Sequence, residues 1–86
     1  MPKVRVNLFA QFRELTGVKH VELELKEGAT VMDMLKEIER RYPKMRGRLT
    51  SKGAQYVLMK GGQWPKKDDE VEDGDVYALF PIVGGG

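Results

Sequence analysis

The sequence predicts an α+β domain in which one main helix lies across one face of a mixed sheet of four to five strands. Three observations carry that prediction. Two early segments alternate apolar and polar side chains with period two, residues 31–42 carry a single apolar stripe at helical spacing, and residues 76–80 are apolar on both faces.

Val4, Val6 and Leu8 alternate with Lys3, Arg5 and Asn7, making residues 3–9 a strand with one face in the core. Phe9, Ala10, Phe12 and Leu15 change the period, and Thr16-Gly17 closes a short helical turn. Val21, Leu23 and Leu25 alternate with His20, Glu22 and Glu24, so a second strand pairs with the first as a hairpin with a wide loop. Thr30 is placed to cap the next helix, with Asp33 where a negative charge suits the helix's positive end. Val31, Met34, Leu35, Ile38 and Tyr42 form the stripe, Arg40 and Arg41 suit the C-terminal dipole, and Pro43 ends a helix spanning about 31–41.

Residues 44–53 read as a polar, basic connection with one helical turn around Arg46–Leu49. Tyr56-Val57-Leu58-Met59 is a third strand, Lys60-Gly61-Gly62-Gln63 turns the chain, and Gln63-Trp64 adds a brief edge strand before Pro65. Trp64 then serves either to cover the edge of the core or to anchor an interface. Lys66 to Glu72 is too polar for the core, Asp73-Gly74-Asp75 is a turn, and Val76 to Phe80 is the last strand. Its two apolar faces place it in the centre, beside the first strand, which makes the sheet mixed.

Eighty-six residues and 9.8 kDa make one domain, with residues 1–81 as its body and 82–86 as a flexible tail. A chain this small buries only about 60–65% of its unfolded surface, too little for a deep two-substrate site. The absence of cysteine excludes disulfide scaffolds, thiolate metal sites and Cys nucleophiles, and the lone His20, expected on a solvent face, leaves no His-rich metal site. No bound cofactor and no metal are expected. Without an apolar run near the ~20 residues that cross a bilayer, or a signal peptide, the protein is expected to be soluble and cytoplasmic, with no membrane partner.

Charge is unevenly laid out along the chain. Lys36 to Lys52 holds seven basic residues against Glu37 and Glu39, and Lys66 to Asp75 holds two lysines against six carboxylates. Tyr42 alone accompanies the basic stretch, so no nucleic-acid partner is expected. The stretch reads as a solvated helix end and loop, or as a docking patch for an acidic protein.

Gly84-Gly85-Gly86 has two readings. It is a terminus without a role, or a tail that presents the α-carboxylate of Gly86 to another protein's active site. Glycines let such a backbone pass a narrow channel without Cβ clashes. A carboxylate is a poor acyl donor, so use of Gly86 requires activation. ATP-dependent adenylation by a partner would make a mixed anhydride, open to a sulfur donor or a lysine amine.

Four blocks resemble a known family. They are Val4-Arg5-Val6-Asn7-Leu8-Phe9-Ala10-Gln11-Phe12-Arg13-Glu14-Leu15-Thr16-Gly17, then Glu27-Gly28-Ala29-Thr30-Val31, then Arg41-Tyr42-Pro43, and finally Glu72 to Gly86 with its Asp73-Gly74-Asp75, Phe80-Pro81 and Gly-Gly ending. Together they are similar to the small subunit of molybdopterin synthase, a ubiquitin-like β-grasp sulfur carrier related to the thiamine sulfur carrier and to archaeal ubiquitin-like modifiers. The resemblance implies a non-catalytic carrier. A ubiquitin-activating-type adenylyltransferase would use ATP to adenylate Gly86, and a sulfurtransferase would replace the adenylate with sulfur. The resulting thiocarboxylate would enter the large synthase subunit, where molybdopterin, of the molybdenum or tungsten cofactor, receives its sulfurs. Phe80, Pro81, Ile82, Val83, Gly84 and Gly85 would dock with that partner. The same resemblance leaves open conjugation of Gly86 to lysines, or sulfur donation to thiamine thiazole or tRNA. Two departures stand out: three terminal glycines where the family has two after a small residue, and Met59-Lys60-Gly61-Gly62 where it has a Val-Asn-Gly turn.

Overall fold

The computed structural model describes residues 1–82. Strand β1 (Lys3–Leu8) leads through helix α1 (Gln11–Thr16) to β2 (His20–Glu24), then helix α2 (Val31–Arg41), a 3-10 turn (Pro43–Met45), β3 (Tyr56–Met59) and β4 (Val76–Pro81). The four strands form one sheet in the order β2-β1-β4-β3. β1 runs antiparallel to β2 and parallel to β4, and β3 runs antiparallel to β4. This is the β-grasp arrangement, with the last strand central as the sequence predicts.

The core lies between the sheet and α2. Val4, Val6, Leu8, Val21, Leu23, Leu58, Tyr77 and Leu79 supply the sheet's inner face, and Val31, Met34, Leu35 and Ile38 supply the helix stripe. The helix begins with reciprocal capping: the Asp33 N–H donates to Thr30 Oγ1 at 3.3 Å and the Thr30 N–H donates to Asp33 Oδ2 at 3.0 Å. The bonds that the exposed Asp33 carboxylate accepts, from the Thr30 N–H and then from the Thr30 hydroxyl, hold it below the usual range.

Three local expectations are corrected. The helical turn lies at Pro43–Met45 rather than Arg46–Leu49, because proline suits the first helical position and Gly47, at φ 80°, redirects the chain soon after. Gln63-Trp64 is not a strand: a single bridge joins Lys60 to Gln63, beyond which Trp64 is 69% exposed. The segment Lys66 to Glu72 does reach the core, through Val71, which is 3% exposed. The Val71 N–H donates to the Ala29 carbonyl at 2.9 Å, which draws this polar loop under the start of α2.

The connection after α2 is organised by Glu39. Its carboxylate accepts the N–H groups of Leu49 and Thr50 at 2.9 and 2.8 Å and the Thr50 hydroxyl at 2.7 Å, which fixes buried Leu49. Partial burial pushes the Glu39 carboxyl up, but the hydrogen bonds from Thr50 and Leu49 outweigh it and the net shift is downward. A carboxylate lowered in the folded state contributes stability above its unfolded value and loses that contribution as pH falls through the folded one. Glu39→Ala should therefore cost about 1–2 kcal/mol in urea unfolding at neutral pH. The gap from the unsubstituted protein should narrow as the pH is taken below the usual carboxylate range; a pH-independent gap would contradict the role.

Candidate functional site

Strand β4 leads to the predicted tail, and its entry is held on several sides. The Arg5 N–H donates to the Asp75 carbonyl at 2.9 Å and the Gly74 N–H to the Lys3 carbonyl at 2.8 Å. Asp73 Oδ1 accepts the Lys3 N–H at 2.8 Å, across seventy residues of sequence. Gly74 adopts φ 88°, a conformation that favours glycine at this turn. Tyr77, 1% exposed, donates its hydroxyl to Asp75 Oδ2 at 2.9 Å, and the same oxygen accepts the Glu72 N–H. Burial, then the bond to Asp75, pushes the phenol above its ordinary range, so it stays a donor at any physiological pH.

At its other end β4 emerges beside an aromatic pair. Phe80 stacks on Phe9 with ring centroids 4.4 Å apart and planes 13° from parallel. The Arg13 guanidinium sits 4.8 Å from the Phe9 centroid while its Nε donates to the Leu8 carbonyl. Ala10, at φ 49°, makes the bend between Phe9 and α1. A positive φ is costly for alanine, and the bend is held by the Phe12 N–H on the Phe9 carbonyl and the Arg13 N–H on the Ala10 carbonyl, both at 3.0 Å.

Strand alternation turns Val76, Ala78 and Phe80 of β4, and Val57 and Met59 of β3, away from α2. They make an apolar band on the outer face, in which Val76 is 49% exposed. On β1 and β2 the same face is polar, with Arg5, Asn7, His20, Glu22 and Glu24; exposed His20 contacts Arg5 through Nδ1 at 3.1 Å. The outer face is thus divided between an apolar half, ending at the Phe9–Phe80 stack, and a charged half.

The predicted tail residues fall differently. Phe80 is half-buried in the stack, Pro81 lies opposite Tyr56 at the end of β4, and Ile82 is 48% exposed. Val83, Gly84, Gly85 and Gly86 lie outside the described residues. At the root of the tail a shallow groove of about 260 Å³ is lined by Gln11, Arg48, Gln55, Pro81 and Ile82, among others. Phe9, Arg13, Val57 and Met59 join the site without having been singled out from sequence. The signal for Phe9 was available, since it continues the outward set Arg5 and Asn7. Among the described residues no group of three or more His, Asp or Glu is placed to hold a metal ion. What the arrangement offers is an apolar contact face and a firmly held strand that ends beside it.

The model of the ThiS family matches residues 6–86. A Haloferax volcanii protein named small archaeal modifier protein 3 is 33% identical, over 98% of this chain and 99% of its own. A Chlamydomonas reinhardtii protein named molybdopterin synthase sulfur carrier subunit is 30% identical, over 98% of this chain and 99% of its own. A solved structure from Pyrococcus furiosus, described as a putative molybdopterin converting factor subunit 1, is 39% identical. It superposes with a TM-score of 0.83, over 96% of this chain and all of that one. From its first strand to its terminal glycines, this chain belongs to the ThiS family of ubiquitin-like sulfur carriers and their modifier relatives.

Proposed function

We propose that the protein is a cytoplasmic sulfur carrier in the biosynthesis of molybdopterin, with Gly86 as the carrying residue. The observation that carries this reading is that β4, a central strand of the sheet, ends at Pro81, beside an exposed apolar band fit to dock a partner and shortly before the Gly84-Gly85-Gly86 run of the sequence. Relatives named as molybdopterin synthase sulfur carrier subunits support it.

The chemistry is carried out on the chain rather than by it. A carboxylate oxygen of Gly86 attacks the α-phosphorus of ATP on a ubiquitin-activating-type adenylyltransferase, and pyrophosphate leaves. A sulfide-level donor from a sulfurtransferase then attacks the acyl carbon, AMP leaves, and the thiocarboxylate remains. The charged tail enters the large subunit of molybdopterin synthase, which transfers the sulfur to the pterin precursor and returns the carboxylate. In this scheme ATP is bound by the activating partner and the carrier itself holds no cofactor. Phe80, Pro81 and Ile82 contribute contact at the root, and Val83, Gly84 and Gly85 thread the partner's channel.

A second reading has its own support in the relative named small archaeal modifier protein 3. There the adenylated Gly86 is attacked by a lysine amine, AMP leaves and an isopeptide forms. The two readings share the activation step and differ in the nucleophile.

Incubation with ATP, a sulfide donor and the activating enzyme should replace one oxygen of the carrier by sulfur, read as intact mass, with no higher-mass conjugates. Conjugates joined through lysine, without thiocarboxylate, would favour the modifier reading instead. Extending the chain by one residue beyond Gly86 should abolish loading, whereas deleting Gly86, which shortens the tail by ~3.5 Å, should reduce but not abolish it. Full loading of the extended form, by single-turnover mass analysis, would contradict the role of Gly86.

A further inference from the structure

The two edges of the sheet are finished differently. Successive residues of a strand direct their N–H and C=O groups to opposite sides. Because the Arg5 N–H bonds the Asp75 carbonyl, Tyr77 and Leu79 bond toward β1, while Ala78 and Phe80 bond toward β3. With Val57 opposite Phe80 and Met59 opposite Ala78, the N–H and C=O groups of Tyr56 and Leu58 point outward from the free edge of β3. The same alternation, fixed by the Leu8 N–H on the Lys19 carbonyl, turns Glu22 outward at the β2 edge. There Arg41 reaches over from α2 and donates to the Glu22 carbonyl at 3.1 Å, blocking the middle of that edge.

The β3 edge has no such block. Lys60 and Gln63 exchange hydrogen bonds at 3.0 and 3.1 Å, after which the chain diverges; the carbonyls of Lys67 and Asp69 bond Met32 and Val31 at the start of α2. Among the described residues no hydrogen bond reaches the outward backbone groups of Tyr56 or Leu58. Beside them lies an open groove of about 540 Å³, walled by Val31, Tyr56, Leu58 and Trp64 and rimmed by Lys66 and Lys67. No carboxylate lines it, and the neighbouring Asp69 carboxylate is directed back to the Lys66 N–H at 2.8 Å.

We propose that this edge is a docking site for an extended, acidic segment of a partner protein. The segment adds a strand beside Tyr56–Leu58, sets an apolar side chain against Leu58 and Trp64, and places carboxylates opposite Lys66 and Lys67. Unpaired edge amides and carbonyls are satisfied by another main chain, which singles out a strand over a helix. The two rim lysines, with no carboxylate in the groove, select acidic flanks. A second copy fits poorly, because its own Tyr56–Met59 strand and the adjoining Ala54, Gln55 and Lys60 bring no negative charge. The site is separate from the Phe9–Phe80 face and does not depend on what Gly86 carries.

The test uses the full chain and two synthetic peptides of about eight residues, the length of an ordinary strand. Both have the same alternating valine–threonine centre, one flanked by glutamates and one by lysines. The acidic peptide should shift the amide resonances of Tyr56 and Leu58 and the Trp64 indole N–H, and bind on the order of tenfold more tightly than the basic one at low salt. The double variant Lys66→Glu, Lys67→Glu should reverse that preference, and Trp64→Ala should weaken both peptides; all three positions are exposed, so these variants keep the fold. An acidic peptide N-methylated at its centre should lose binding. Absence of shifts at Tyr56 and Leu58, equal affinity for the two peptides, or protection of those amides by self-association without peptide would each overturn the proposal.

Discussion

Parallel pairing of the last strand beside the first is the contact on which the remaining structure depends. It joins segments seventy residues apart, through the Asp73–Lys3 bond and the Arg5–Asp75 bond, and it fills the middle of the sheet with Tyr77 and Leu79. Until β4 docks, β1–β2 and β3 are separate pieces and α2 has half a surface to cover. Such long-range closure carries an entropic cost that burial must offset. The consequence for function is directional. Holding β4 at its beginning, by the turn and by the Tyr77 hydroxyl, leaves its other end to run out of the sheet beside Phe9 and Phe80.

Some of the charged residues that look like binding patches in one dimension are absorbed into architecture. Asp69, Asp73 and Asp75 each accept a backbone N–H, so much of the acidic stretch builds turns. In the basic stretch, Arg40 lies on Glu37 with contacts of 2.6 and 2.8 Å, and Arg41 guards the β2 edge. Lys66 and Lys67 line the groove beside an open strand edge, and that position, which the longer basic run does not share, is what ties them to recognition.

The elements whose signal is local were legible in the sequence: the alternation of β1 and β2, the stripe and cap of α2, and the two-faced apolar composition of β4. Features that depend on distant partners were not. Val71 is one apolar residue among acids, and it is buried because Ala29 and the α2 N-terminus happen to lie above it. The connection after α2 was read with a helical turn around Arg46–Leu49, yet Glu39 satisfies the Leu49 and Thr50 amides from the side. Gln63-Trp64 had strand-like residues, but Pro65 and the pull of α2 on the following carbonyls take the chain away from β3. The tail's role was suggested by its glycines and by resemblance, and the site around its root by Phe80, Pro81 and Ile82; Arg13 became part of it when the parallel register brought β1 and the start of α1 alongside Phe80.

The central claim is that Gly86, five residues beyond the end of a firmly held β4, serves as a sulfur carrier. Its most direct measurement is the mass of the C-terminal peptide of the protein isolated from its native cells under conditions that preserve thioacids. The account predicts a population in which the Gly86 carboxylate has exchanged one oxygen for sulfur. Recovery of that peptide solely as free carboxylate and as branched peptides on lysine would contradict it.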